Sequence, residues 1–331
     1  MSRRSVIIRS TGDRDSLSIV ALRLNADGWL MACEIDQQSD RTVGSRRDVV
    51  NKLIWWLTQN GHESCGTPEL RAYFYYLATG HRQPGGRWGN ARCAAPLKAS
   101  SVYTYHGHLS TLFSWIVREG NLDVSPMDLI PPPEYQRDDI VPFSADQVQK
   151  LVKAAQRSRY PRRDEAIVKL LVDTGIRASE LCSLKVKHIN FTERIGSVKG
   201  KGNKMRVMPI GKQAARAVWA MLQEEPREPD DYLFVGERGT DAGEPITRSG
   251  LLQLIERLGK AVNIQGVRCS PHTFRHTFAI EFLRSGGDPF TLMRLLGHTS
   301  MTMTERYLAI VKADVVRQHR EHSPADRLFS G

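Results

Sequence analysis

The sequence predicts a mainly helical chain of the α+β class with two folded units. Apolar residues recur at helical spacing through most of the chain, and three short strand-like pieces cluster near 195–235. A proline-rich stretch separates the halves, and because proline disfavours helix, residues 131–142 are predicted to form a linker. The length of 331 residues agrees with about two domains.

The first half predicts three helices after a segment of different character. Residues 1–44 are assigned to an N-terminal extension of unknown role, with a hairpin expected to turn at Asn25–Gly28. Residues 45–130 form the predicted helical unit, whose helices span about 45–59, 67–79 and 100–119. The third helix carries one broad apolar face, formed by Val102, Leu109, Leu112, Phe113 and Ile116.

The second half predicts a mostly helical unit over 143–312 with a small antiparallel β-sheet. Ser144 is expected to cap its first helix. The expected helices span about 144–156, 163–174, 247–262, 271–285, 289–296 and 301–311, and the expected strands about 195–199, 205–210 and 232–235. Residues 313–331 remain as a C-terminal tail.

The basic charge is concentrated in two places. The formal net charge is +11, and 34 of the 47 basic residues are arginine, which suits phosphate recognition but also arises from a GC-rich genome. Residues 141–331 carry a net charge of +10, and residues 70–118 contain six basic residues and no Asp or Glu. Such an acid-free stretch predicts a surface for a polyanion.

Candidate residues for binding nucleic acid lie in the acid-free stretch and near the predicted hairpin at 195–210. An aromatic residue on a helix is as often core as interface, so Tyr105 remains open between the two interpretations. The candidates are Arg71, Arg82, Arg87, Arg92, Lys98, Tyr105, His108, Lys204 and Arg206.

Composition excludes several classes of protein. Forty per cent of residues are apolar and 25% are charged, which excludes a disordered chain and a collagen-like fibre. The five cysteines have no metal-binding or redox spacing, so reduced thiols in a cytoplasmic protein are expected. No signal peptide is recognised, and no apolar run approaches the roughly 20 residues of a membrane span.

Two basic motifs point to phosphate chemistry. Gly175 is predicted to end a helix, which places Arg177 at the start of the next one, where Glu180 can orient its guanidinium. Lys201 lies in Gly-Lys-Gly at a predicted hairpin tip and could donate a proton to a phosphate oxygen. Taken alone, the first motif favours a surface salt bridge and the second a solvated loop lysine, and the Walker pattern is absent.

Two further motifs lie near the C-terminus. Ser270 and Pro271 open a helix on which His272 and Arg275 share one face near the N-terminus, where anions are favoured. His276 and His272 have the spacing of a metal pair, but no carboxylate follows at ligand spacing, so zinc is disfavoured. Gly297 and Ser300 interrupt the helix between His298 and Tyr307, so these two side chains can converge.

The order and spacing of these residues resemble the tyrosine recombinase (phage integrase) family. That family arranges Arg, Lys, His-x-x-Arg, His or Trp, and Tyr in this chain order. The matching positions are Arg177, Lys201, His272, Arg275, His298 and Tyr307. The resemblance covers about residues 141–312 and extends more weakly to 45–130, which looks like the helical core-binding domain of the family.

The resemblance implies a covalent reaction without metal, ATP or other cofactor. Tyr307 would attack the scissile phosphorus and form a 3′-phosphotyrosyl bond, while Arg177 and Arg275 grip the non-bridging oxygens. Lys201 would protonate the leaving 5′ oxygen, and His298 would donate to a phosphate oxygen. His272 would either accept the tyrosyl proton or hydrogen-bond the phosphate. The function implied is site-specific recombination that integrates, excises or resolves a mobile or plasmid element.

The resemblance also implies a C-shaped clamp of two domains on double-stranded DNA. The expected assembly is a dimer per site and a tetramer in the synaptic complex, with residues 313–331 as a candidate protomer contact. An accessory recombinase or a DNA-bending protein is a further candidate partner, no membrane is involved, and the expected location is the cytoplasm, at the nucleoid.

Three other functions are weighed against recombination. A type IB topoisomerase shares the tyrosine chemistry, but His272 in the His-x-x-Arg motif and the short spacing from Leu-Leu-Gly-His to Tyr307 favour the recombinase. A DNA-binding protein that lost its chemistry is disfavoured because all six residues are present. A metal-dependent nuclease is disfavoured because the sequence has no clustered carboxylates.

Overall fold

The chain divides into two compact units after Asp138, within the segment predicted to be the linker. The computed structural model describes residues 15–80, 85–135, 140–199, 205–236, 244–298, 300–301, 304–312 and 323. The predicted mainly helical fold with small antiparallel sheets is confirmed in these segments.

The first unit packs four helices around one core. Its helices are α1 (Ile19–Ile35), α2 (Asp40–Gln59), α3 (Thr67–Ala78) and α4 (Ala99–Arg118). A two-stranded antiparallel sheet joins β1 (Leu17–Ser18) to β2 (Ser64–Cys65). The predicted apolar face of α4 is buried in this core over its whole length.

The hairpin expected at Asn25–Gly28 is wrong, because both residues lie inside α1. The Asn25 side chain donates to the Ala21 carbonyl at 2.8 Å, a bond within the helix. A Cβ at Gly28 would stand 3.2 Å from the Trp115 ring, so this glycine permits close helix packing rather than a turn. Residues of α1 are buried in the same core as α2 to α4, so this part of 1–44 belongs to the helical unit.

The second unit surrounds a small sheet with helices. In chain order its elements are α5 (Ala145–Gln156), α6 (Pro161–Thr174), α7 (Ala178–Cys182), β3 (Ile189–Asn190), β4 (Ile195–Lys199), β5 (Met205–Pro209), α8 (Lys212–Glu224), α9 (Arg248–Ala261), α10 (Pro271–Arg284), α11 (Pro289–Leu296) and α12 (304–312). The strands form an antiparallel sheet in the order β3-β4-β5. The piece expected as a strand at 232–235 makes only isolated bridges, Lys185 to Tyr232 and Val235 to Pro245.

Two apolar clusters hold the second unit together. The larger cluster centres on α6, whose residues Ile167, Val168, Leu170 and Leu171 are fully buried. The smaller cluster joins α10, α11 and α12, and it includes Leu292, Leu296 and Tyr307. This smaller cluster therefore brings together the helix of the His-x-x-Arg motif, the helix that ends at Leu-Leu-Gly-His, and Tyr307.

Local signals begin and end these helices as the sequence predicts. Ser144 caps α5, and Ser270 caps α10 by accepting from the Thr273 amide. Gly175 ends α6 in the left-handed conformation, with φ of +57°. A Cβ there would lie 2.5 Å from Phe278 Cδ1 and 3.0 Å from Leu296 Cδ2. Both the backbone conformation and the close packing therefore require glycine.

We expect Gly175→Ala to lower the free energy of unfolding of the second unit by about 2–5 kcal/mol. The left-handed φ costs about 1–2 kcal/mol in an L-residue, and displacing the Phe278 ring costs about 1–3 kcal/mol more. Gly286→Ala is the matched control, because Gly286 has φ of +86° but open space around it. Denaturant unfolding measures both, and equal losses in the two variants would contradict the packing argument.

Candidate active site

Arg177 is positioned by the break between α6 and α7. As the cap residue of α7, its backbone amide donates to Glu180 Oε2 at 3.0 Å. Its guanidinium donates to Glu180 Oε1 at 2.8 Å through Nη1. The carboxylate of Glu180 therefore orients Arg177, as the spacing of the two residues predicts.

Arg275 lies one turn after His272 on α10 and is buried. Its Nη1 donates to the Gly175 carbonyl at 2.8 Å, at the break after α6. Its Nη2 donates to the Leu296 carbonyl at 2.7 Å, at the end of α11. Two helix ends therefore hold this guanidinium.

Three arginines converge on the C-terminal end of α11. Arg206 donates to the Leu295 carbonyl at 2.6 Å and Arg177 donates to the Gly297 carbonyl at 2.7 Å, on either side of the Leu296 carbonyl that Arg275 uses. The end of a helix carries partial negative charge, which stabilises these cations. Gly297 has φ of +62°, and a Cβ there would lie 3.1 Å from Arg206 Nε.

Arg206, a candidate DNA-binding residue, is held inside the protein. Its side chain is 13% exposed, and Nη2 donates to Glu180 Oε2 at 2.7 Å while Nη1 is bonded to Leu295. Both terminal nitrogens therefore bond protein acceptors. The structure makes Arg206 a positioning residue for Glu180 and α11, which the sequence analysis missed.

The charges of this cluster are unbalanced. Burial and the neighbouring Arg177 lower the pKa of Arg275 to about 10. Burial alone would raise the pKa of Glu180, but the Arg177 amide and the Arg206 charge hold it below its ordinary value. Three guanidinium groups around one carboxylate leave excess positive charge, so the cluster suits a bound anion such as a phosphate.

Tyr307 lies on α12 beside this cluster and is fully buried. Its Oη is 2.8 Å from His276 Nδ1, and the two rings are 5.5 Å apart. Burial raises the pKa of Tyr307, and the charges of Arg275 and Arg306 partly oppose this rise. The resting phenol is therefore protonated and paired with a histidine.

Two other histidines lie nearby, His298 against the phenol and His272 against His276. His298, in the turn after α11, lies 3.3 Å from Thr304 Oγ1 through Nδ1, and its ring stacks at 6.5 Å from the Tyr307 ring. Burial and the nearby Arg275 lower the pKa of His298 to about 4. His272 is more exposed, and its ring lies 4.1 Å from that of His276. Partial burial and Arg275 lower the pKa of His272.

Four of the six predicted site residues lie around the end of α11, namely Arg177, Arg275, His298 and Tyr307. His272 lies against His276, and the sixth residue is not described. Lys201 and Lys204 lie outside the described residues, in the connection from β4 to β5. The sequence indicates His276 only as half of a metal pair. Its spacing of four after His272 could have indicated a shared face, but its contact with Tyr307 spans 31 residues of sequence.

The candidate DNA-binding residues of the first unit have different environments. Arg87 is wrong as a surface contact, because it is 2% exposed and donates to the Ala95 carbonyl. The others with protein contacts are Arg71, which donates to the Leu129 carbonyl, Tyr105, which stacks on Trp88, and His108, which pairs with Ser45. Arg92 and Lys98 are exposed, and Arg82 lies outside the described residues.

Within the described segments the structure has neither a cluster of metal ligands nor a membrane-spanning helix. No group of three or more His, Cys, Asp or Glu side chains is placed to hold a metal ion there. Likewise, no described helix has the length and apolar character needed to cross a membrane.

The arginine cluster and the adjacent phenol together form a site that suits an anionic group. Residues 142–313, more than half of the chain, match the phage integrase family. The chain belongs to this family of site-specific tyrosine recombinases, as the resemblance of its motifs predicts.

Curated relatives agree with the family. Tyrosine recombinase XerD of Listeria monocytogenes serotype 4b (strain F2365) is 29% identical over 237 residues, which cover 68% of this chain and 77% of the relative. Tyrosine recombinase XerC of Xanthomonas axonopodis pv. citri (strain 306) is 25% identical over 294 residues, covering 86% of this chain and 91% of the relative.

Solved structures share the fold at low sequence identity. The Tn1549 transposon integrase in complex with transposon right end DNA is 18% identical, with a TM-score of 0.68, and covers 92% of this chain and 99% of its own. The XerH site-specific recombinase bound to a palindromic difH substrate is also 18% identical, with a TM-score of 0.63, over 93% and 97% of the two chains.

We expect Arg206→Lys to lower the rate of DNA cleavage by about 10- to 100-fold without weakening a phosphate contact. A lysine keeps the charge but presents one compact ammonium in place of two separated terminal nitrogens, so it does not span Glu180 and the Leu295 carbonyl as Arg206 does. A misplaced site of this kind loses about 100-fold. The plot of log binding constant against log salt concentration should keep its slope. A slope reduced by about 0.9 would mean that Arg206 contacts a phosphate after all. Arg216→Lys, on the exposed side of α8, is the control.

Proposed function

We propose that this recombinase cuts and rejoins double-stranded DNA through a covalent 3′-phosphotyrosyl intermediate formed by Tyr307. The observation that carries the proposal is the buried phenol beside three guanidinium groups and one carboxylate. A phosphodiester is a singly charged anion, and its transition state for displacement gains charge on the non-bridging oxygens. The excess positive charge at the end of α11 matches that need.

The proposed roles follow from the contacts of each residue. Arg177 and Arg275 are held by protein carbonyls through some of their N–H groups and have others left to bind the non-bridging oxygens. His298, next to the phenol, donates to a phosphate oxygen. His272 hydrogen-bonds the phosphate or accepts the tyrosyl proton.

The leaving 5′ oxygen needs a proton, and we assign this step to Lys201 on the resemblance of Gly-Lys-Gly to the family pattern. The new phosphotyrosyl bond conserves the phosphodiester, so rejoining needs no ATP. The proposed chemistry relies on cationic side chains where other nucleases use a metal ion.

We propose that the protein acts as a homo-oligomer on its DNA site, with two protomers per site and four in the synaptic complex. The XerH neighbour is described with a palindromic substrate, and a palindrome presents two equivalent half-sites. Residues 313–331 are proposed as the protomer contact, and an accessory recombinase or DNA-bending protein as a further partner. The reaction would occur in the cytoplasm, at the nucleoid.

The biological outcome that we propose is integration, excision or resolution of a mobile or plasmid element. The fold shared with a transposon integrase supports this proposal. The alternative, a type IB topoisomerase, is weakened by the family match over 142–313.

We expect the wild-type protein to form a denaturant-resistant adduct with nicked site DNA in the absence of Mg²⁺. The DNA site is first selected from a random pool by binding, and a nick beside the cut lets the 5′-hydroxyl fragment diffuse away. Tyr307→Phe should form no adduct, because it lacks the attacking oxygen, while Tyr232→Phe should match the wild type. No wild-type adduct on its selected site, or one that survives Tyr307→Phe, would sink the proposal.

We expect the double variant Arg92→Ala/Lys98→Ala to flatten the salt dependence of DNA binding. Both side chains are exposed within the acid-free stretch, and each lost phosphate contact lowers the log–log slope by about 0.9. The matched control is Arg23→Ala/Arg41→Ala, which removes two exposed charges from the same unit outside that stretch. Equal slopes for the two double variants would show that the acid-free stretch is not the contact surface.

A further inference from the structure

His276 is the described hydrogen-bond partner of the nucleophile. Its Nδ1 lies 2.8 Å from Tyr307 Oη, within the normal range for a bond that involves a hydroxyl and a ring nitrogen. The contact joins α10 to α12, and Tyr307 has no exposed surface. In the tautomer that carries its proton on Nε2, His276 Nδ1 accepts the hydrogen bond from the phenol, which places the proton that must leave Tyr307 against this imidazole.

His272 is placed differently. It lies one helical turn before His276, on the more exposed side of α10, and its ring stacks edge-on against that of His276 at 4.1 Å. A more exposed position suits a residue that meets the incoming DNA. His276 occupies the position between His272 and the phenol.

The surroundings keep His276 neutral in the resting protein. The titratable and charged groups that face it are His272 and Arg275 on α10, Arg306 and Tyr307 on α12, and His298 on the turn between α11 and α12. Burial, followed by the influence of His272 and Arg306, lowers the pKa of His276 to about 4. A neutral imidazole has one ring nitrogen free to accept a proton.

We propose that His276 is the general base of the cleavage step, which deepens the proposed function and rests on it. The bond from Tyr307 Oη to phosphorus forms as the bond from phosphorus to the 5′ oxygen breaks. The phenol proton passes to His276 Nδ1, and the departing 5′ oxygen takes its proton from the general acid assigned above. In the rejoining step the 5′-hydroxyl gives its proton back to the general acid residue and attacks phosphorus, the bond from phosphorus to Tyr307 Oη breaks, and His276 returns its proton to that oxygen.

The bound phosphate makes this transfer easier. Its negative charge offsets Arg275 and Arg306, which depress the basicity of His276 in the DNA-free protein. The base therefore strengthens when the substrate is in place. On this assignment His272 is the histidine that hydrogen-bonds the phosphate.

The test is the single-turnover rate of adduct formation on nicked site DNA with His276→Asn. The amide oxygen of asparagine can occupy the place of Nδ1 and accept a hydrogen bond, but it cannot take up a proton near neutral pH. We expect adduct formation at pH 7 to slow by about 100-fold or more, the usual scale of general base catalysis. His62→Asn, which replaces a histidine in the first unit, is the matched control and should leave the rate unchanged.

The pH profile separates a base from a residue that only positions the phenol. The wild-type rate should level off by about pH 7, whereas the rate of His276→Asn should rise about tenfold per pH unit between pH 6 and 9, because hydroxide must then ionise the phenol. A rate within about threefold of the wild type, or a slower rate with the wild-type profile, would overturn the assignment.

Two further measurements keep the result interpretable. A substrate with sulfur in place of the 5′ bridging oxygen has a leaving group that needs no proton, so it should rescue Lys201→Ala but not His276→Asn. If His276→Asn melts well below the wild type, the rates of adduct formation are measured on His276→Gln instead, and they decide whether His276 is the base. Absence of an adduct with the wild type would count against the proposed function, whereas a normal adduct with both amide variants would count against His276 alone.

Discussion

Three consecutive carbonyl groups at the end of α11 hold three arginines within reach of one another. Like charges brought together in a half-buried site repel, and burial together with the neighbouring Arg177 lowers the pKa of Arg275. The carbonyls of residues 295–297 and the Glu180 carboxylate offset this repulsion with partial and full negative charge. Because these acceptors are already bonded, the guanidinium groups need little rearrangement when a phosphate arrives, which is how preorganised sites stabilise a transition state.

The fold could be predicted from sequence wherever a local signal decides it. Ser144, Ser270 and Gly175 act through their own turn of backbone, and the structure confirms each of them. Gly28 shows the limit of such signals. In isolation, Asn25 and Gly28 suggest a turn, but the nearby Trp115 ring makes glycine a packing residue inside a helix. Tertiary packing outweighs local propensity here, and no spacing in the sequence reveals it.

The site residues likewise divide into those that the local sequence reveals and those that only the folded structure reveals. The motifs identify residues whose chemistry is read from their own neighbourhood, such as Arg177 with Glu180 three positions on. The positions of Arg206 and His276 within the site cannot be predicted from local sequence, because their contacts cross 89 and 31 residues of sequence. Arg87 is misjudged for the opposite reason, since charge predicts exposure but the loop around residues 85–95 buries it. Residues that position others are therefore the hardest to find without coordinates.

On the proposed function, the burial of Tyr307 separates the binding of DNA from its cleavage. Since the phenol has no exposed surface, a phosphate reaches Oη only after the side chains around it move. The free energy for that movement has to come from contacts with the bound DNA, which then strengthen the transition state rather than the resting complex. On the proposed function, the affinity of a DNA site and the rate at which it is cut are therefore two separate quantities.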